Sequence, residues 1–156
     1  MGALAVGLYA LDQVTKFLAV EHLTGADDKQ LVGEILQLRL AYNTGAAFSA
    51  GEGFTEVITV IALIAVVVIL WLTRRVRSLM WGAALGILLA GVAGNLTDRL
   101  LREPGPMRGA VVDFLMLPNW PIFNVADMCI NAAAVLIVIA SFRGLRLDGT
   151  RIRAAA

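Results

Sequence analysis

Cysteine, histidine and proline are scarce in this chain of 156 residues, which has one Cys, one His and four Pro. The lone thiol, Cys129, excludes an internal disulfide and any metal site built from several cysteines; it suits a small apolar packing residue. With His22 as the single histidine, an HExxH metal motif is absent and no Ser, Cys or His arrangement for nucleophilic catalysis competes. That histidine suits an interfacial position. An excess of one sign of charge is missing as well. The net charge of +1, with no long basic or acidic tract, gives no sign of a nucleic-acid partner. Internal repeats, low-complexity tracts and linkers are also lacking, so the chain reads as one domain over residues 1–156. A cleaved leader fits poorly, because no Lys or Arg precedes the first apolar run and no small-x-small site follows it.

Apolar residues are what the chain has in plenty: they make up 59% of it, and its mean hydropathy is +0.79. This exceeds the usual apolar share of a soluble domain and marks an integral membrane protein. Crossing a bilayer takes about 20 apolar residues at 1.5 Å each. Four segments qualify, at approximately 2–22, 55–73, 79–101 and 121–142. The second has no charge after Glu56 and reads as a lipid-facing anchor. Seven of the 13 Lys and Arg fall in two short stretches, Arg74, Arg75 and Arg77 and then Arg143, Arg146, Arg151 and Arg153. The positive-inside rule makes those stretches cytoplasmic, with both termini inside and segments 23–54 and 102–120 facing outward.

The outer segments carry the only strand character. Leu36, Leu38 and Leu40 alternate with Gln37, Arg39 and Ala41, the period of a half-buried strand, and Asn43, Gly45, Gly51 and Gly53 mark turns. A small sheet over about 33–50, lying on the outer membrane surface, is expected. GAVVDFLML is short and β-branched enough for a second strand or a re-entrant piece, and all four prolines surround it. The fold class is therefore a four-helix membrane bundle with a minor outer β element.

Polar residues inside the apolar segments cluster at the outer ends. Asn124, Asp127 and Asn131, at i, i+3 and i+7, form one stripe on the fourth helix, and Asn95, Asp98 and Arg99 share one side of the third, where Gly91 and Gly94 permit close helix contact. Arg99 can pair with Asp98 or reach a substrate carbonyl or phosphate. Asp12 and Lys16, at i and i+4, can pair within the first helix and shape the site. With a helix from Pro121, Asp127 would lie about 9 Å below its start. The turn LPNWP can fold the strand bearing Asp113 back against that helix and bring the two carboxyls together. Two carboxyls in a low-dielectric setting share one proton, and such a pair divides the work of acid and base in peptide hydrolysis. An ion or proton pathway, or an adaptor whose buried polar groups glue helices, remains open on these residues alone.

The ordered motifs DQVTK (12–16), NTGAAFS (43–49), GNLTDRL (94–100), VVDF (111–114) and FNVADM (123–128) closely resemble those of the bacterial lipoprotein signal peptidases, the signal peptidase II family. The resemblance implies a four-helix inner-membrane aspartyl peptidase with an outer β cradle. Its substrate would be a prolipoprotein carrying a diacylglyceryl thioether, cut just before the lipidated cysteine. Asp113 and Asp127 would be catalytic, supported by Asn43, Gly45, Asn95, Asp98, Arg99 and Asn124, with Asp12 and Lys16 shaping the site. Asn43, Asn124 and Arg99 would position the substrate backbone, and apolar helix faces would receive its acyl chains. Neither metal nor cofactor is implied; membrane lipid is the surroundings, and the protein is expected to be a monomer. Met128 departs from the small or hydroxylated residue frequent after the second aspartate.

Overall fold

The computed structural model describes residues 1–45 and 54–151. Residues 46–49 of the NTGAAFS motif, the expected turn glycines Gly51 and Gly53, and Arg153 lie outside the described residues.

Four helices are long and apolar enough to cross a membrane: α1 (Gly2–Leu23), α2 (Thr55–Thr73), α3 (Leu79–Leu101) and α4 (Val125–Phe142). Their outward faces are apolar, with Val6, Phe17, Ile64, Val67 and Val138 among the exposed side chains. Lipid solvates such faces, so the bundle needs close packing only along its inner seams. α3 supplies the central seam: α1, α2 and α4 all pack on it, and its buried positions are dominated by Gly82, Ala84, Gly86, Ala90, Gly91 and Gly94. Two of those glycines are required by contact. A Cβ on Gly91 would stand 2.5 Å from the Ala126 carbonyl oxygen of α4, and one on Gly94 would stand 2.5 Å from Asp12 Oδ2 of α1.

At one end of the bundle three strands, β1 (Lys29–Val32), β2 (Leu36–Asn43) and β3 (Val111–Met116), form an antiparallel sheet in the order β1-β2-β3. Leu38 and Leu40 of β2, the alternating leucines of the sequence, pack against Ala19 and Leu23 of α1 and Val112 and Phe114 of β3. That cluster seats the sheet on the end of α1. The sheet begins earlier than the expected 33–50. All four residues of β1 are exposed, so no burial alternation announces it, and the main-chain pairing with β2 defines it. The GAVVDFLML piece is β3, a strand.

The turn after β3 works as the prolines suggest. Leu115 pairs with Phe123: each main-chain N–H donates to the other's carbonyl, at 2.8 and 2.9 Å, so residues 117–121 reverse the chain into α4. α4 starts at Val125, four residues after the expected 121, because Asn124 takes the extended cap conformation and its side chain accepts from the Asp127 N–H. Asp127 is consequently in the first turn of the helix and not 9 Å along it.

Candidate active site

β3 and the start of α4 bring the two aspartates to one place. Ala41 is opposite Asp113 and Asn43 is opposite Val111, so Asn43 and Asp113 are diagonal neighbours on one face of the sheet. Asn43 Nδ2 donates to Asp113 Oδ2 at 3.1 Å, and its Oδ1 accepts from the Gly45 N–H at 2.9 Å, which tucks the chain after β2 over the strand. The other carboxylate oxygen, Asp113 Oδ1, accepts from Asn124 Nδ2 at 2.6 Å.

Asn124 is the hinge pin of this arrangement, fully buried and bonded in four directions. Its Oδ1 accepts the Asp127 N–H at 2.9 Å, and its own N–H donates to Asp127 Oδ2 at 3.1 Å, a reciprocal capping box. Its amide nitrogen reaches Asp113 and also lies 3.1 Å from Asn95 Oδ1. The remaining oxygen, Asp127 Oδ1, accepts from Asn95 Nδ2 at 2.8 Å. One residue therefore holds both carboxyls, and each carboxyl has a second amide donor.

Asp113 is 2% exposed. Burial, and then the negative charge of Asp127, push its carboxyl up to about 7, against the bonds from Asn43 and Asn124 and the charge of Lys16. The pair is thus set to retain a proton near neutrality on the Asp113 side.

Behind the pair lies a buried ionic cluster. The Lys16 ammonium donates to Asp12 Oδ2 at 3.1 Å, Asp98 Oδ2 at 2.8 Å and Asn95 Oδ1 at 2.9 Å, using all three of its hydrogens. Asp12 Oδ1 accepts the Ala126 N–H at 2.8 Å, a second cap on α4 supplied by α1. Asp98 also accepts from the Val112 N–H at 3.2 Å and from Arg102. The expected Asp12–Lys16 pair is present; Asp98 and Arg99, by contrast, do not pair. Arg99 turns instead to the carbonyls of Thr44 and Gly45 and anchors the segment that follows β2, because Asp98 is already engaged by Lys16 and Arg102. Sequence patterns cannot show main-chain carbonyls as partners.

The dyad faces a cavity of about 620 Å³ whose lining includes Asn43, Gly45, Asn95, Arg99, Asp113, Asp127 and Asn131 at the polar end. Its apolar wall comes from Ile58, Ile61, Ala62 and Ala65 of α2 and Val92 and Leu96 of α3. The reading of α2 as purely lipid-facing is corrected here. One stripe of it, at i, i+3, i+4 and i+7, lines the cavity, and Thr55 and Thr59 dock its N-terminal end on the carbonyls of Thr44 and Met107. Because α2 is apolar all round, no change in polarity marked that stripe.

The model of the signal peptidase (SPase) II family matches residues 4–143. Lipoprotein signal peptidases of Streptomyces coelicolor and Streptomyces griseus are each 47% identical over 148 residues, which is 95% of this chain and 72% and 76% of theirs. That of Mycobacterium avium is 45% identical over 146 residues, 94% of this chain and 80% of its own. Two solved structures, both described as a bacterial membrane enzyme, align with a TM-score of 0.79 and 28% identity over 90% of this chain, covering 85% and 91% of theirs.

Proposed function

This chain belongs to the signal peptidase II family, a multi-pass bacterial membrane protein that removes signal peptides from prolipoproteins, and we propose that it does so as an aspartyl endopeptidase using Asp113 and Asp127. The observation that carries this reading is the double attachment of Asn124, which fixes both carboxyls at the polar end of one apolar cavity. The ion-pathway alternative has no support from the relatives.

Asp127, at a helix N-terminus with amide donors on both oxygens, is the carboxylate that takes a proton from water. Asp113 holds the shared proton and delivers it to the scissile carbonyl oxygen as the water attacks. The tetrahedral diol collapses as its C–N bond breaks: the leaving amine receives the proton that Asp127 took, one diol hydroxyl returns its proton to Asp113, and the dyad is restored. Arg99 supports this indirectly by holding the main chain at Thr44 and Gly45 beside Asn43. The acyl chains of a diacylglyceryl-modified precursor occupy the wall formed by α2 and α3, which places the bond before the lipidated cysteine at the dyad. The substrate is membrane-anchored, so it enters sideways from the lipid. The arginine distribution supports cytoplasmic termini and an outward-facing site in the inner membrane.

The test is cleavage of a lipidated precursor by Asp113→Asn and Asp127→Asn, made separately. Each is expected to lose at least about 10²-fold in kcat, the low end of what one acid or base contributes. Near-normal cleavage by either variant would remove the dyad. Chelators are expected to leave the wild-type rate unchanged, and an unlipidated precursor to be cut poorly.

A further inference from the structure

Lys16 is 0% exposed, stands in a membrane-spanning helix and touches neither carboxyl of the dyad in a direct hydrogen bond, yet one of its three acceptors is the side chain that holds Asp127. An ammonium has donors only, so whatever atom of Asn95 faces it must be the amide oxygen. Asn124 Nδ2, another donor, lies on the same oxygen at 3.1 Å. With Oδ1 committed twice, the Asn95 amide has one orientation left, and its NH2 group points at Asp127 Oδ1. Were the amide turned over, Lys16 would face a donor and Asp127 would face an acceptor.

We propose that Lys16 is a positioning residue for the peptidase reaction: through Asn95 it fixes a hydrogen-bond donor on Asp127 and so keeps that carboxylate aimed and ready to accept a proton. The proposal rests on the dyad reading above. It gives the buried Asp12–Lys16–Asp98 cluster a task beyond holding helices together. Asp12 and Asp98 hold the ammonium in place, and Asp12 also caps the turn that carries Asp127.

The charged groups in and beside this network are Asp12 and Lys16 on α1, Asp98 and Arg99 on α3, and Asp113 on β3, of which Arg99 and Asp113 feel the charge of Asp127 directly. The face of α2 that shares the cavity is apolar. A new titration introduced at position 95 can therefore be recognised against a known background.

Asn95→Asp separates positioning from scaffolding. The introduced carboxylate keeps an acceptor for Lys16 and for Asn124, so the fold is retained, but it sets an oxygen against Asp127 in place of a donor. With a lipidated precursor, kcat at pH 7 is expected to fall about 10²-fold with KM within about 3-fold, the size of one acid–base contribution. Activity should partly return as pH is lowered and the introduced carboxyl gains a proton and can donate again. Lys16→Met should lower kcat at least about 10-fold with little change in KM, but it leaves Asp12 and Asp98 uncompensated; if it does not fold, Asn95→Asp decides alone. An Asn95→Asp chain with wild-type kcat and an unchanged pH profile overturns the proposal. So does one that fails to fold, since a carboxylate facing Lys16 should be held at least as well as the amide. Asp127→Asn, run beside them, distinguishes the two levels. If it is inactive while Asn95→Asp behaves as wild type, only this inference fails; if it is active, the dyad itself fails.

Discussion

Removing the Asp113 charge should make the protein inactive and, relative to the wild type, progressively more stable as pH rises. The buried carboxyl titrates at about 7 instead of near 3.8. At 1.36 kcal/mol per pH unit, its charged form is disfavoured in the folded state by on the order of 4 kcal/mol, an upper figure because the cavity admits solvent. The sign follows from proton counting. Below about pH 3.8 the carboxyl is protonated in both folded and unfolded chains and contributes nothing. Between about 3.8 and 7 the unfolded chain releases the proton and the folded one keeps it, so wild-type stability falls with rising pH; above about 7 the loss is complete. Asp113→Asn has no such titration. It carries a pH-independent cost of about 1–3 kcal/mol, because its NH2 group would meet one of the two donors, Asn43 or Asn124, that now bond the carboxylate. Thermal unfolding in detergent or nanodiscs, followed through the tryptophans, should show the variant at or below the wild type at pH 4. The difference should then move in favour of the variant up to pH 8, by as much as roughly 10 °C at 2–4 °C per kcal/mol. A difference that stays constant from pH 4 to 8 would mean that Asp113 does not resist ionisation, and the shared proton would have to be abandoned.

Wild-type kcat/KM should decline above about pH 7 as Asp113 loses its proton, and a profile flat to pH 9 would contradict its role as acid. Gly94→Ala places a methyl where Asp12 Oδ2 stands, 2.5 Å away, so a loss of about 1–3 kcal/mol is expected in denaturant or thermal unfolding, with kcat reduced through the displaced Asp12–Lys16 pair. Ala62→Trp fills part of the cavity wall. If it excludes two methylenes of an acyl chain, at about 0.8 kcal/mol each, kcat/KM for the lipidated precursor should drop about 10-fold, while an unlipidated peptide is affected little; equal losses on both would detach the cavity from lipid recognition.

Much of this protein can be read from its sequence because lipid makes simple demands. Four apolar runs of sufficient length became four helices, and the leucine alternation at Leu36, Leu38 and Leu40 became β2. Asp113 and Asp127 stood out because ionisable groups are costly near lipid, and the turn through Pro118 and Pro121 brings them together. What escaped depends on features without a sequence period. β1 is held by main-chain pairing and buries no face. The partners of Arg99 are carbonyls, which every residue carries. The cavity stripe of α2 is hidden because all its neighbours are apolar too, although the small residues Ala62 and Ala65 were a faint mark of it. The later start of α4 is legible in Asn124 standing three residues before Asp127, the spacing of a reciprocal helix cap.

The reciprocal cap at Asn124 means that secondary structure and chemistry cannot be adjusted independently at this position. A side chain that nucleates the helix equally well, such as serine, is too short to reach Asp113, and aspartate, which has the length and caps as well, brings no N–H to donate to that carboxyl. Resistance evolving under pressure from a ligand in this cavity has to arise elsewhere, most readily along the apolar wall of α2, where a change of bulk alters fit without disturbing the reactive end.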